Sequence, residues 1–183
     1  MEWINDVRTA KGEKINVNSL TIAATIALPG SNHYFHPSKD DKLLFAINET
    51  TKEGASVTII DIATDRIIKD VPLLLEPGEQ GQRHHGEFSR TENFLCVQRR
   101  RHDRGCMDVA GMEMVKVIKA GMGAGHLIMT KDSRYMFIIH HKDNVVKVID
   151  VTRQEVLKTI SVGTGKNRRM QPILLPTETI FIW

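Results

Sequence analysis

The chain has 183 residues, of which 41% are hydrophobic and 26% charged, the size and make-up of one domain with a real core. Its formal net charge of +3 is too mild to point to nucleic acid or an anionic membrane. There is no 18-residue apolar run to span a bilayer, no basic segment followed by an apolar one at the N-terminus, and there are only two cysteines, which excludes a disulfide-rich scaffold and a cysteine-based zinc site.

In chain order, residues 15–26 read as an apolar strand, a polar turn beginning at Asn18, and a second apolar strand. A Gly-containing loop follows, then His33 and two strands around the polar turn 38–42. Residues 57–68 return to the first pattern, now with Asp61 closing the strand, and residues 83–97 return to the second, with His85 ahead of the turn 89–93. The alternation continues through Asp108, His126 with the turn 130–134, and Asp150. Positions 18, 61, 108 and 150 are 43, 47 and 42 residues apart, a spacing that marks a repeated supersecondary unit. Asp108 to His126 is 18 residues, and so is Asp150 to Arg168, which puts Arg168 in the histidine position of the next copy.

Asp at the start of a tight turn accepts hydrogen bonds from backbone N–H groups just downstream, so its recurrence is read as turn stabilisation. Each unit is then four short strands joined by hairpins, and no segment keeps a helical apolar period. Strands such as 135–139 and 145–149 are almost continuously apolar, as when both sheet faces are covered. The predicted fold is therefore all-β: a β-propeller of four-stranded antiparallel blades, with a β-sandwich as the rival that does not explain the period.

The run Val-Val-Lys-Val-Ile-Asp-Val-Thr-Arg-Gln-Glu-Val-Leu-Lys-Thr-Ile-Ser-Val-Gly at 145–163, followed by a Gly-rich loop, resembles the YVTN-family propeller repeat. The resemblance extends over most of residues 14–183. It implies the fold and says little about activity, because that family includes surface-layer, periplasmic and redox-associated propellers. It also implies a periplasmic or extracellular setting, at odds with a chain that shows no export signal. The expected organisation is one propeller domain over 1–183: a half blade at 14–30, blades at 33–73, 85–120 and 126–162, and a half blade at 168–183. About four blades suit either a fragment of a larger propeller or a closed four-bladed ring. The fragment is favoured, since closure generally takes more blades, and exposed half blades would promote self-association.

Inter-blade loops of a propeller deliver the chain to one face of the central channel. His33, His85, His126 and Arg168 are therefore the tentative cofactor- or anion-binding series. Two readings stay open: structural hydrogen bonds to neighbouring turns, or ligation of a metal ion or a d1-type haem, as in the nitrite-reductase propellers the chain loosely resembles. Arg99, Arg100, Arg101 and Arg104 form a basic hairpin tip that could meet an acidic partner or nucleic acid, although no aromatic residues interleave them for stacking. His140 and His141 are expected as solvated tip residues. Aligning that hairpin with the next blade puts Cys96 opposite about Asp108 and Cys106 opposite about Gln98, a diagonal arrangement that predicts buried free thiols. Gly121–Gly125 precedes a strand, so it lacks the helix N-terminus of a phosphate loop.

No complete catalytic motif is present. The expected function is a binding or scaffold module that takes a protein or small-molecule ligand at the channel face, with no cofactor assigned. The alternatives are the haem- or metal-linked propeller and the basic tip as a nucleic-acid site.

Overall fold

The computed structural model describes residues 2–6, 10–38, 40–51, 54–73, 88–90, 94–98, 103–119, 124–130, 132, 134–140, 143–162, 172–174 and 180–182. Seventeen strands occur among them and no helix, so no described helix is long and apolar enough to cross a membrane.

The strands form antiparallel meanders in chain order. The first sheet has β1 (Glu2–Asp6), β2 (Lys11–Asn16) and β3 (Thr21–Ala27). The segment expected as a half blade at 14–30 thus has a third strand, because Glu2–Asp6 pairs with Lys11–Ile15 in register. The second sheet is β4 (Ser31–Pro37), β5 (Leu43–Thr51), β6 (Gly54–Asp61) and β7 (Arg66–Pro72). The third is β8 (Phe88–Arg90), β9 (Phe94–Gln98), β10 (Asp103–Asp108) and β11 (Glu113–Lys119). The fourth is β12 (Ala124–Met129), β13 (Tyr135–His140), β14 (Val145–Asp150) and β15 (Glu155–Ser161), and β16 (Pro172–Leu174) pairs with β17 (Ile180–Ile182). The chain divides into two compact units, Met1–Gly86 with Met112–Met114, and Glu87–Gly111 with Val115–Trp183.

Within the first unit, Ile26 and Leu28 of the first sheet pack with Leu44, Ala46 and Ile60 of the second, flanked by Phe35 and Ile62. Gly12 lets the sheets approach, since a Cβ there would stand 2.6 Å from Phe35 Cζ. In the second unit the same repeat positions meet: Ile118 of the third sheet packs with Leu127, Met136, Ile138, Ile149 and Val151 of the fourth. Each such buried aliphatic side chain contributes about 2 kcal/mol of apolar burial. One polar tie accompanies the first interface. The buried Lys14 ammonium donates to Ile62 O (3.1 Å) and pairs with Asp65 Oδ1 (2.6 Å).

The outermost strands carry a recurrent bulge. Ala23, Ile68 and Leu157 are each the extra residue between ladder partners, at the same place in three sheets. A bulge of this kind twists an exposed edge away from edge-to-edge pairing.

Candidate functional site

Every four-stranded sheet has two chemically different ends. At one end lie the turns from third to fourth strand. Asp61 Oδ1 accepts from Thr64 N (2.7 Å), Asp108 Oδ2 from Gly111 N (2.6 Å), and Asp150 Oδ1 from Arg153 N (2.9 Å). The first sheet does the same with Asn16, whose Oδ1 accepts from Asn18 N and Ser19 N. The repeat anchor is therefore Asn16 and not Asn18. In all four turns the residue four places on, Leu20, Asp65, Met112 or Gln154, has a φ of 51–56°. The left-handed residue lets the chain reverse within one turn, and the side-chain acceptor satisfies an amide that the reversal leaves free.

The same end carries the first hairpins. Ser38 Oγ donates to Asp40 Oδ1 (2.7 Å) and accepts from Leu43 N (2.9 Å); Thr130 Oγ1 donates to Asp132 Oδ1 (2.5 Å) and accepts from Tyr135 N (3.0 Å). These hydroxyls, then the backbone N–H groups of Lys42 and Arg134, hold the Asp40 and Asp132 carboxyls below the usual carboxylate range. The Thr64 hydroxyl, then its N–H, does so for Asp61. These Asp oxygens are engaged in turn geometry, which makes this end structural.

The opposite end collects the starts of the first strands and the tips of the central hairpins. Here lies a buried polar row. Fully buried Asn48 of β5 donates through Nδ2 to Ser56 Oγ (3.0 Å) and Thr58 Oγ1 (2.7 Å) of β6. Both hydroxyls donate on to Asp70 Oδ1 of β7, at 2.9 and 2.6 Å. Asn32 of β4, the ladder partner of Asn48, donates through Nδ2 to Tyr34 O (3.2 Å) and Ile47 O (3.0 Å). Asn48 Oδ1 has no hydrogen-bond partner among the described residues. Because the two hydroxyls spend their protons on Asp70, Asn48 must present its NH2 to them, which turns its carbonyl oxygen away from the network.

Asn48 belongs to a repeat position that no sequence motif marks. It stands five residues after Leu43, the ladder partner of Asp61, and His140 stands five after Tyr135, the partner of Asp150. By the same count from Phe94, the partner of Asp108, the third copy has Arg99. Opposite a nearly invariant anchor, this position thus holds Asn, Arg and His. His140 is fully buried, which corrects the expectation of a solvated tip: it is the last residue of β13, paired with Val145, and the loop begins after it.

The histidine series is altered by register. His33 lies in β4 and His126 in β12, each beside a bulge at the start of a first strand. Counting from the hairpin hydroxyls Ser38 and Thr130, however, His126 matches Tyr34, and His33 matches Gly125. Tyr34 is also 18 residues after the corrected anchor Asn16, as His126 is after Asp108. His33 therefore stands one residue ahead of the position equivalent to His126. His85 and Arg168 lie outside the described residues, as do Arg99, Arg100, Arg101 and His141; Arg104 is a residue of β10, the ladder partner of Gln98. Among the described residues no group of three or more His, Cys, Asp or Glu is placed to hold a metal ion.

The thiol expectation is overturned. The ladder puts Cys106 directly opposite Cys96, fully buried Cys106 is disulfide-bonded, and Cys96 is the only other cysteine in the chain. The register differs by two residues from the aligned one, because the ladder of β9 and β10 is fixed by Phe94 facing Asp108, which brings Cys96 level with Cys106. The bridge ties β9 to β10.

No family model matches the chain, and no curated protein matches it. Solved structures do. The chain is similar to Kuenenia stuttgartiensis hydrazine synthase with a TM-score of 0.78 at 16% identity, over 98% of this chain and 51% of that one. It is similar to the dihydro-heme d1 dehydrogenase NirN in complex with DHE, with a TM-score of 0.68 at 16% identity, over 90% and 36%. A functionally unknown protein from Desulfotomaculum acetoxidans DSM 771 aligns with a TM-score of 0.74 at 8% identity, over 99% and 58%. These likenesses show the fold: an all-β chain of antiparallel four-stranded propeller blades. The chain spans between about a third and three fifths of the length of these neighbours.

Proposed function

We propose that this chain is a propeller binding module, and that its ligand or partner meets the blade end that carries Asn48 in the second sheet. The observation that carries this reading is the carbonyl oxygen of buried Asn48, which has no partner among the described residues, at a repeat position where other copies have Arg and His. A position kept for the fold alone would hold one chemistry, as the Asp anchors do. A buried acceptor without a donor costs about 1–3 kcal/mol unless something supplies one. A ligand or partner that brings N–H or O–H groups to this end would supply it.

The test is a thermal-shift screen of small carboxylates, phosphates, sugars and haem, followed by amide exchange on any binder. Protection of the start of β4 and the end of β5, weakened by Asn48→Leu, is the expected result. Protection centred on the Asp61, Asp108 and Asp150 turns would overturn the reading.

The alternative reading is a d1-type haem or metal ion held by the series His33, His85, His126 and Arg168, in which His33 stands one residue out of register with His126. Haem added to the protein should give no absorption change that depends on His126. The nucleic-acid alternative predicts salt-sensitive binding that disappears when Arg99, Arg100 and Arg101 are neutralised.

A further inference from the structure

The polar row of the second sheet accepts hydrogen bonds and has none left to give. Both Nδ2 hydrogens of Asn48 go to Ser56 Oγ and Thr58 Oγ1, and both hydroxyl protons go on to Asp70 Oδ1. Asn32, across the ladder, spends its own NH2 group on Tyr34 O and Ile47 O. Every side-chain N–H and O–H of Asn32, Asn48, Ser56 and Thr58 is therefore committed, while the fully buried Asn48 carbonyl oxygen receives no donor among the described residues. The row also carries a charge. It ends at Asp70 on the exposed outer strand, and no described cation pairs with that carboxylate. The ladders break on both sides of Asn48. Against β4, Glu49 and His33 are extra residues flanking the Asn32–Asn48 pair, and against β6 the register slips between Asn48 and Thr51. Irregular pairing of this kind re-aims side chains and ends a ladder beside binding sites.

We propose that the group received at Asn48 is a cationic hydrogen-bond donor, the primary ammonium of a small aliphatic amine. The proposal rests on the reading that a ligand meets this end of the second sheet, and it names the chemistry of that ligand. A carboxylate, phosphate or carbonyl would bring one more acceptor to a row whose donors are all spent, and an anion would also be repelled by Asp70. A neutral hydroxyl would satisfy the Asn48 oxygen and leave the charge of the row unanswered. An ammonium answers both. The carboxylate draws the hydroxyl protons toward itself, the hydroxyls draw on the Asn48 NH2 group, and an amide that donates in such a chain becomes a stronger acceptor at its oxygen. Shape favours ammonium over guanidinium. The acceptor is a single buried amide oxygen, which suits a compact head with rotatable donors, whereas the planar fork of a guanidinium is matched to two carboxylate oxygens.

Butylamine, butanol and butyrate share an apolar chain and differ in the head group, which is cationic, neutral or anionic. Each is titrated near neutral pH and at constant ionic strength into the nitrogen-labelled chain, with backbone and Asn side-chain amide shifts as the readout. The amine should bind at the Asn48 end at least about tenfold more tightly than the alcohol, the margin of a charge-assisted over a neutral hydrogen bond, and butyrate should not bind there. Asn48→Leu should abolish the amine response. Asp70→Asn keeps an amide oxygen for both hydroxyls on an exposed strand, and it should bring the amine down to the level of the alcohol. If Asn48→Leu loses the wild-type circular dichroism spectrum, Asp70→Asn carries the test alone. An alcohol or butyrate response at Asn48 as strong as that of the amine would overturn the cationic assignment and leave the Asn48 reading standing. So would the absence of any amine response, or one that Asp70→Asn does not change. Amine shifts centred on the Asp61, Asp108 and Asp150 turns would overturn both.

Discussion

The two ends of each blade are built from the same strands, yet they obey different rules. At the anchor end, Asn16, Asp61, Asp108 and Asp150 all cap a downstream amide, and each is followed four residues later by a left-handed residue. At the tip end, the corresponding position changes from Asn48 to Arg99 to His140. Where a short-range turn dictates the residue, the repeat is kept from copy to copy; where only burial and neighbours constrain it, each copy differs. Uniformity marks the scaffold here, and divergence marks where binding is proposed.

The contrast can be broken most severely from the anchor end. Asp65→Ala takes the carboxylate from buried Lys14 and leaves its ammonium without that counter-charge, so chemical denaturation should show a loss of about 3 kcal/mol. The Lys14→Met, Asp65→Ala double variant should recover much of that, which would separate a missing counter-charge from a weakened turn. Opening the Cys96–Cys106 bridge by the paired Ser substitutions should cost about 2–3 kcal/mol, given the short loop that it closes. The melting transition with and without reductant is the check.

At the tip end, Thr58→Val takes one acceptor from Asn48 and one donor from Asp70, for an expected loss of about 2 kcal/mol by denaturant titration. His140→Asn should be milder than His140→Leu, because Asn already holds that register position in the second sheet. Near-equal effects of the two on the melting temperature would show that the position is merely a core site.

The pH dependence separates the ends as well. Asp40, Asp61 and Asp132 have carboxyls lowered on folding, first by the hydroxyls of Ser38, Thr64 and Thr130. A lowered folded value means stability that is fully present above the unfolded carboxylate range and is lost as pH falls through the folded values. Melting temperatures should therefore be flat near neutrality and fall in acid. Asp61→Asn should reduce the acid loss, since an amide oxygen keeps the turn bond without titrating.

The blade pattern was legible in the sequence because its signals are local: apolar alternation, polar turns, and an acceptor capping an amide three residues away. The site was less legible. The loop-then-histidine pattern aligned His33 with His126, whereas counting from the hairpin hydroxyls Ser38 and Thr130 puts Tyr34 at that position. Spacing cannot reveal such a slip where a bulge adds a residue to one strand, as it does beside both histidines. The polar row from Asn48 through Ser56 and Thr58 to Asp70 joins three strands and has no sequence motif.

The sequence by itself determined the four-stranded repeat and the anchor turns, since each depends on interactions within a few residues. Tertiary structure alone decided that Cys106 faces Cys96 and that His140 is buried. Those outcomes depend on ladder register and which blade lies alongside. Both are fixed by contacts between residues far apart in the chain, where a shift of one residue moves a side chain to the other face of its sheet.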